Sequence, residues 1–303
     1  MWRGTPRRCC KMYYTTLVRA AYYAPRGRQR LMHLGQLIAQ RYLNAEALLI
    51  GVIGDAGAGK SLIIRGMFPG LVLTNDDDGV NVRPLPVLED AQAHYFRTHT
   101  YHLDVRFEMA FTPLWELADA VKMAISAGRR VVVEHFELLY PLLNVNAEVL
   151  IGIGEEVVVT IPTLFGPFPA EIAEEAYESL VYRKMAHSAE DLTSIVLEQM
   201  GIEPPTIHSD VRRGFVVEFT RKPEVDLAEV ERRVLEYIAQ DLPISPHNDN
   251  AILIGNEKLH CSGPRLHMSS TGQIKGFRLD KNFHYSPITK TFLLAGRVGY
   301  EGG

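Results

Sequence analysis

The run Gly54-Asp55-Ala56-Gly57-Ala58-Gly59-Lys60-Ser61 fits the pattern G-x-x-x-x-G-K-[ST], a spacing that carries a definite chemistry. Gly54, Gly57 and Gly59 free the backbone to turn its N–H groups inward around a phosphate, and a helix that follows adds its positive end. The Lys60 ammonium would reach the outer phosphates and the Ser61 hydroxyl would bind magnesium. The whole run is therefore a candidate nucleotide site, with ATP or GTP plus Mg²⁺ as the expected ligand. The alternative is a chance glycine-rich turn, and the flanking elements decide between the two.

Those elements are legible. ALLIGVIG before the motif is apolar and glycine-bounded, as a buried parallel strand is, and SLIIRGMF after it reads as a helix. Upstream, Leu31, Leu34, Ile38 and Tyr42 recur at helical spacing. Apolar runs at 48–53, 71–74, 130–134 and 147–153 alternate with helix-like segments such as 113–127, which predicts an α/β domain with a doubly wound parallel sheet. Pro162, Pro167 and Pro169 then punctuate the chain, and a helix-like stretch covers 170–200. Beyond it the pattern changes. GFVVEF alternates like a strand, Asp226 and Glu229 stand at capping-box spacing before a helix, and strand-like runs follow at 251–254 and 273–279. The expected organisation is a basic segment with a helix over 1–45, a nucleotide-binding domain over 46–180 and an α+β domain over 181–303.

The chain has 303 residues, 47% hydrophobic and 22% charged, which excludes disordered and collagen-like classes. No apolar run approaches the roughly 18–20 residues of a membrane span, so no membrane partner is expected. The first acidic residue is Glu46, and the preceding segment carries nine Arg and Lys, an asymmetry that points to a phosphate-bearing partner. Cys9, Cys10 and Cys261 cannot form a disulfide framework, so a reducing cytoplasm is the expected compartment. Residues 1–30 lack serine, which argues against an organellar transit peptide, and MWRGTPRRCCK reads as an extension ahead of Met12.

The N-terminal half resembles the P-loop kinases of the uridine kinase type. VVVEHFELLY is similar to that family's apolar strand closing on an acidic residue, and the resemblance implies that Glu134 holds magnesium through water. Glu134 rather than Glu137 is expected, because it ends the strand at the carboxyl edge where α/β ligands sit. LVLTNDDDG resembles the second strand, whose terminal acid acts on the acceptor hydroxyl, making Asp76 or Asp77 the implied catalytic base; a solvated acidic turn is the alternative. THTYHLDVRFEMAF resembles a His/Asp acceptor-site segment. The family's arginine-bearing lid has no evident counterpart before PTLFGPFP, which removes the expected source of positive charge for phosphoryl transfer.

The C-terminal half resembles the second additional domain of threonyl- and alanyl-tRNA synthetases, the module that hydrolyses mischarged aminoacyl-tRNA. AHSAEDLTSIVLEQ, GFVVEF with its acidic helix and DLPI, CSGPRLHMSSTGQIKGFRL and ITKTFLLAGRVGY occur in the family's order. The third segment reproduces the threonyl-type pattern with Arg265 and Leu266 inserted before His267. Position by position, the family's site falls on His187, Asp191 (a histidine in the family), Cys261 and His267. The alanyl type binds zinc there and the threonyl type positions water and substrate without it, so the resemblance implies ester hydrolysis using His187 and Cys261, with the four residues as a zinc-ligating set or an inert remnant. His187 and Asp191, four apart, share a helix face. His208, His247, His260 and His284 match no functional position of the family.

Tyr13, Tyr14, Tyr22 and Tyr23 interleave with Arg19, Arg26, Arg28 and Arg30, a pattern that suits a single-stranded RNA or tRNA end or simply packs aromatic residues. No aminoacylation core is present, so a synthetase is not expected. Three readings remain: an NTP-dependent enzyme acting on an aminoacyl-tRNA-like or small amino-acid ester, a small-molecule kinase whose second domain only binds the acceptor, and a nucleotide-switched RNA-binding protein.

Overall fold

The computed structural model describes residues 19–25, 27–75, 82–203, 205, 207–248, 250–261, 263 and 266–299. Asp76 and Asp77 lie outside the described residues, as do Cys9, Cys10, Tyr13, Tyr14, Arg26 and the inserted Arg265.

In chain order the first half comprises β1 (Arg19–Tyr23), α1 (Arg28–Tyr42), β2 (Leu49–Gly54), α2 (Lys60–Met67), α3 (Pro86–Gln92), β3 (Thr100–Asp104), α4 (Val105–Glu108), α5 (Leu114–Ser126), β4 (Arg130–Glu134), α6 (Phe136–Leu143), β5 (Val149–Ile153) and β6 (Glu156–Thr160). Alternate side chains of a strand face opposite ways, and the valines of β4 show the consequence. Val131 and Val133 join Leu117, Val121 and Leu139 of α5 and α6, while Val132 joins Leu34, Ile38 and Ile63 of α1 and α2. Helices therefore cover both faces of the sheet, and the central strand β2 is buried throughout. Glycine permits the close contact of α1 with α2: a Cβ on Gly35 would lie 2.2 Å from Ile63 O, and one on Gly66 would lie 2.1 Å from Met32 O.

The sheet order is β1-β6-β5-β2-β4-β3. Strands β5, β2, β4 and β3 are mutually parallel, but β6 and β1 are antiparallel, so the sheet is mixed and not wholly parallel as the alternation predicted. The reason is local. Only Gly154 and Glu155 separate β5 from β6, with Gly154 N–H donating to Glu156 O at 3.0 Å, whereas a parallel return needs a crossover of about a dozen residues. The apolar run 71–74 also departs from expectation. It forms no strand: Leu73 fills the α1–α2 core and the Thr74 N–H donates to the His102 ring.

Helix α7 (Pro169–Gln199) runs unbroken for 31 residues and passes through position 180, where the two domains were expected to divide. The second half continues with β7 (Ile207–Val211), β8 (Gly214–Phe219), α8 (Leu227–Ala239), β9 (Ile244–Asn248), β10 (Ala251–Ile254), β11 (Glu257–His260), β12 (Arg278–Leu279), β13 (His284–Ser286) and β14 (Thr291–Arg297). These strands make a three-stranded sheet, β11-β10-β9, and a five-stranded one, β12-β14-β8-β7 with β13 on β14. Phe215, Val217, Val230, Val234 and Leu294 pack with Leu192 and Val196 of α7 in a separate core. Asp226 caps α8 through the Ala228 N–H at 2.9 Å, but Glu229 turns to Arg232 and Arg233, so the reciprocal half of the capping box is not made. The run 273–279 shrinks to β12, because Lys275 N–H leaves the ladder for the Met185 sulfur at 3.4 Å. In all, the described residues form a mixed α/β protein with eight α-helices, none long and apolar enough to cross a membrane.

Candidate functional site

The strand-to-helix turn at Gly54–Ser61 is formed as its sequence demands. Gly54 ends β2, Lys60 opens α2, and Gly57 and Gly59 take φ of 76° and 101°, values that side chains rarely adopt. Asp55 braces the turn, its carboxylate accepting from Ala56 N–H at 2.8 Å and its carbonyl from Ala58 N–H at 3.2 Å. Burial alone would push the Asp55 carboxyl up, but the Ala56 N–H and the charges of Lys184 and Arg106 hold it below the usual range. Lys60 Nζ donates to Asp55 O at 3.1 Å and lies 3.7 Å from Glu134 Oε2.

Glu134 ends β4 beside this turn. Its Oε1 accepts from Ser61 Oγ at 3.2 Å and faces His102 Nε2 at 3.2 Å. The Thr74 N–H donates to His102 Nδ1 at 3.1 Å, so Nδ1 carries the lone pair and Nε2 presents its proton to Glu134. Desolvation raises the Glu134 pKa, and the His102 hydrogen bond together with the Lys60 charge overcomes it, leaving the carboxyl below its ordinary value. Octahedral magnesium sets neighbouring oxygens about 2.9 Å apart, so Ser61 Oγ and Glu134 Oε1 suit adjacent positions, direct or through water. Glu137 instead accepts from Tyr177 OH at 2.6 Å and lies 3.4 Å from His135 Nδ1.

Ala56, Gly57, Gly59, Lys60, Ser61 and Glu134 line a cavity of about 310 Å³ together with Asn75, Asp104, Arg106, Phe107 and His135. Asp104 Oδ2 accepts from Asn75 Nδ2 at 3.1 Å, and its Oδ1 caps α4 through Phe107 N–H. Arg106 Nη1 lies 3.3 Å from Asp55 Oδ1. Sequence reasoning named none of Arg106, Asp104 or His102 individually, although all three lie in the segment resembling an acceptor site. The usable signal was position: His102 and Asp104 lie in β3 and Arg106 just beyond it, at the carboxyl edge of a parallel strand, and Asp104 and Arg106 share a cavity with the Gly54–Ser61 turn.

The second group gathers in the other half. His187 and Asp191 project from α7, Cys261 follows β11, and His267 precedes the turn at Thr271–Gln273. Their potential ligand atoms all lie within 4.8 Å of one another. Cys261 Sγ is 3.3 Å from His187 Nε2 and 3.8 Å from His267 Nε2, and Asp191 Oδ2 is 2.8 Å from His267 Nε2 and 4.0 Å from His187 Nε2. In a tetrahedral site with bonds of about 2.0–2.3 Å, ligand atoms stand roughly 3.3–3.8 Å apart. The two Cys261 distances meet that spacing; the 2.8 Å hydrogen bond is shorter and the 4.0 Å separation of His187 from Asp191 longer, so a metal would open the first by about half an ångström and draw the second in by a few tenths. His187 is 3% and Asp191 8% exposed, so the carboxylate is the more accessible of this pair.

The surroundings fix these side chains. Gly263 N–H donates to Cys261 Sγ at 3.3 Å, and the two imidazole centroids lie 4.2 Å apart. Ser188 on α7 accepts from Met268 N–H at 3.0 Å and so ties the segment beyond His267 to the helix. The insertion before His267 therefore does not displace it from the cluster. Leu266 instead joins the core that contains Ala58 and Leu31.

In the aromatic and basic segment, β1 lies at the sheet edge, Arg19 pairs with Glu175, and Tyr22 OH meets Tyr42 OH at 2.7 Å. His247, His260 and His284 are exposed, and His284 pairs with Asp280 at 3.0 Å. No protein-family model matches the chain, and no curated protein matches it.

Proposed function

We propose that the protein is a two-site enzyme, binding ATP or GTP with magnesium at Gly54–Ser61 and hydrolysing an aminoacyl ester, of the kind borne by mischarged tRNA, at a zinc centre formed by His187, Asp191, Cys261 and His267. The convergence of four ligand-type atoms within 4.8 Å, from residues up to 80 positions apart in sequence, carries this reading. Zinc bound there would polarise an ester carbonyl and ease deprotonation of water. The protein's own groups do the rest. Released from the donor set, Asp191 would accept a proton from water at Oδ2, and Gly263 N–H would steady the Cys261 sulfur in its anionic form. At the other site Lys60 and the loop N–H groups hold phosphates while Ser61 and Glu134 provide oxygens for magnesium.

The test combines elemental analysis of the purified protein with release of amino acid from mischarged tRNA, with and without ATP. Zinc near one per chain and release that Cys261→Ala abolishes support the reading; protein that neither carries nor takes up zinc refutes the metal centre. A small-molecule kinase is the second reading, favoured by Asp104 and Arg106 in the same cavity as Lys60. It predicts nucleotide turnover stimulated by a small hydroxyl compound and indifferent to zinc. Tight tRNA binding without turnover of either substrate would favour the nucleotide-switched RNA-binding reading.

A further inference from the structure

Arg183, His187 and Asp191 lie four residues apart along one face of α7. Arg183 is 2% exposed, and its Nη1 donates to Ala58 O at 3.1 Å inside the phosphate turn while Nη2 donates to Pro25 O at 3.2 Å. The Ala58 carbonyl and the Gly59 N–H belong to one planar trans peptide and point in opposite directions. By holding the carbonyl from outside, Arg183 aims the Gly59 N–H toward the cavity that Gly59 lines.

The other half of the cluster reaches the same turn by a different route. Leu266, next to His267, is 4% exposed and shares a core with Ala58, Leu31 and Leu180, the last of these one turn before Arg183. Gly263 lies flush on the His187 ring, where a Cβ would come within 3.0 Å of Cε1. A cation joining His187 and Asp191 to Cys261 and His267 would therefore fix both supports of the phosphate turn, the helix through Arg183 and the loop through Leu266.

We infer that metal occupancy of the His187–Asp191–Cys261–His267 cluster and nucleotide occupancy of the Gly54–Ser61 turn are coupled through Arg183 and Leu266, so that each ligand strengthens binding of the other. This rests on the metal and nucleotide sites proposed above. The metal favours the arrangement in which the Gly59 N–H already faces a phosphate, and a bound phosphate favours the α7 and loop positions that close the cluster. Such coupling is reciprocal by thermodynamic necessity.

The experiment titrates Mg·ATP into the full chain, zinc-loaded and zinc-free, the latter prepared with a zinc-selective chelator while magnesium is kept in excess. A second titration measures zinc affinity by chelator competition with and without Mg·ATP. The expected result is about a tenfold change in each affinity, equal in the two directions. Arg183→Met should abolish the mutual effect while each ligand still binds; if that variant does not fold, Leu266→Ala carries the same test. Both ligands binding to the parent with affinities indifferent to each other overturns the coupling and leaves the two sites standing. Failure of either ligand to bind the parent overturns the sites themselves and the coupling with them. Loss of nucleotide binding accompanied by loss of far-ultraviolet circular dichroism in the zinc-free protein also overturns it, because the linkage would then be unfolding and not orientation of one peptide.

Discussion

Replacing Glu134 by glutamine tests the phosphate site through charge alone. The Lys60–Glu134 pair is buried, with 3.7 Å between Nζ and Oε2. At an effective dielectric of about 20, that separation corresponds to a gross attraction of roughly 4–5 kcal/mol, most of it offset by the cost of desolvating the ions. A phosphate arriving at Lys60 must compete with this carboxylate and also lie beside its charge. Magnesium relieves both, because the cation sits between the two anions. In Glu134→Gln the amide oxygen still accepts from Ser61 and faces His102, so the local frame persists while the charge is gone. Releasing about a third of the gross attraction strengthens magnesium-free ATP binding about tenfold, and magnesium-dependent turnover falls at least a hundredfold because one of the oxygens near the metal loses its charge. Fluorescence titration with a labelled nucleotide, in chelator and in excess magnesium, reads both effects. Weaker binding in chelator, or turnover equal to the parent, would refute this account of Glu134.

Lys60→Ala should abolish nucleotide binding and keep the circular dichroism spectrum of the folded chain, while loss of the buried Lys60–Glu134 pair and of the hydrogen bond to Asp55 O lowers its stability to denaturant; unchanged affinity would remove the phosphate site. Cys261→Ala should lower zinc affinity a hundredfold or more and abolish ester hydrolysis without altering Mg·ATP affinity by more than the linkage described above, as chelator competition can measure. Arg106→Ala should lower phosphoryl transfer or hydrolysis about a hundredfold at nearly constant nucleotide affinity, and equal rates would show that its cation plays no part. Asp90 is held below the usual carboxylate range: burial opposes this, but the Tyr101 hydroxyl, Arg97 N–H and Arg97 charge outweigh it. Its contribution is present above the unfolded pKa of about 4 and is lost as pH falls through the lower folded value, so Asp90→Asn should flatten the acid limb of stability against pH, measured by denaturant titration.

The sequence disclosed most where spacing alone determines geometry. Glycines before Lys60, a strand before them and a helix after them leave little freedom, and β2, the turn and α2 follow the expectation closely. The helix periodicity of His187 and Asp191 likewise set both side chains on one face of α7. What spacing could not disclose was strand direction at the sheet edge. VVVT reads as a buried strand either way, and only the two-residue link at Gly154 and Glu155 makes β6 antiparallel. The run 71–74 illustrates a second limit, because buried Leu73 and Thr74 satisfy the hydrophobic pattern without entering a ladder. Arg183 illustrates a third. Its sequence position in a charged, helix-like stretch suggests a solvated face, and only the arrival of Ala58 O and Pro25 O beside it accounts for its burial.

The two departures from the synthetase-like pattern, Asp191 and the insertion at Leu266, have separate physical consequences. A carboxylate in place of an imidazole adds a second anionic donor to Cys261, so with a divalent cation bound the donor set would balance it and the closed cluster could be buried without residual charge. That same balance would lower the electrophilic power of such a centre relative to one with three imidazoles, and the proposed hydrolysis would then require Asp191 to leave the donor set and serve the water. Its greater exposure than His187 makes it the better placed of that pair to do so. Leu266 has no such role in the cluster, since its side chain lies in the core that contains Ala58 of the Gly54–Ser61 turn. Asp191 would thus set the chemistry of a metal bound in the cluster, while Leu266 packs the segment beside His267 against Ala58 and Leu31 of the first half.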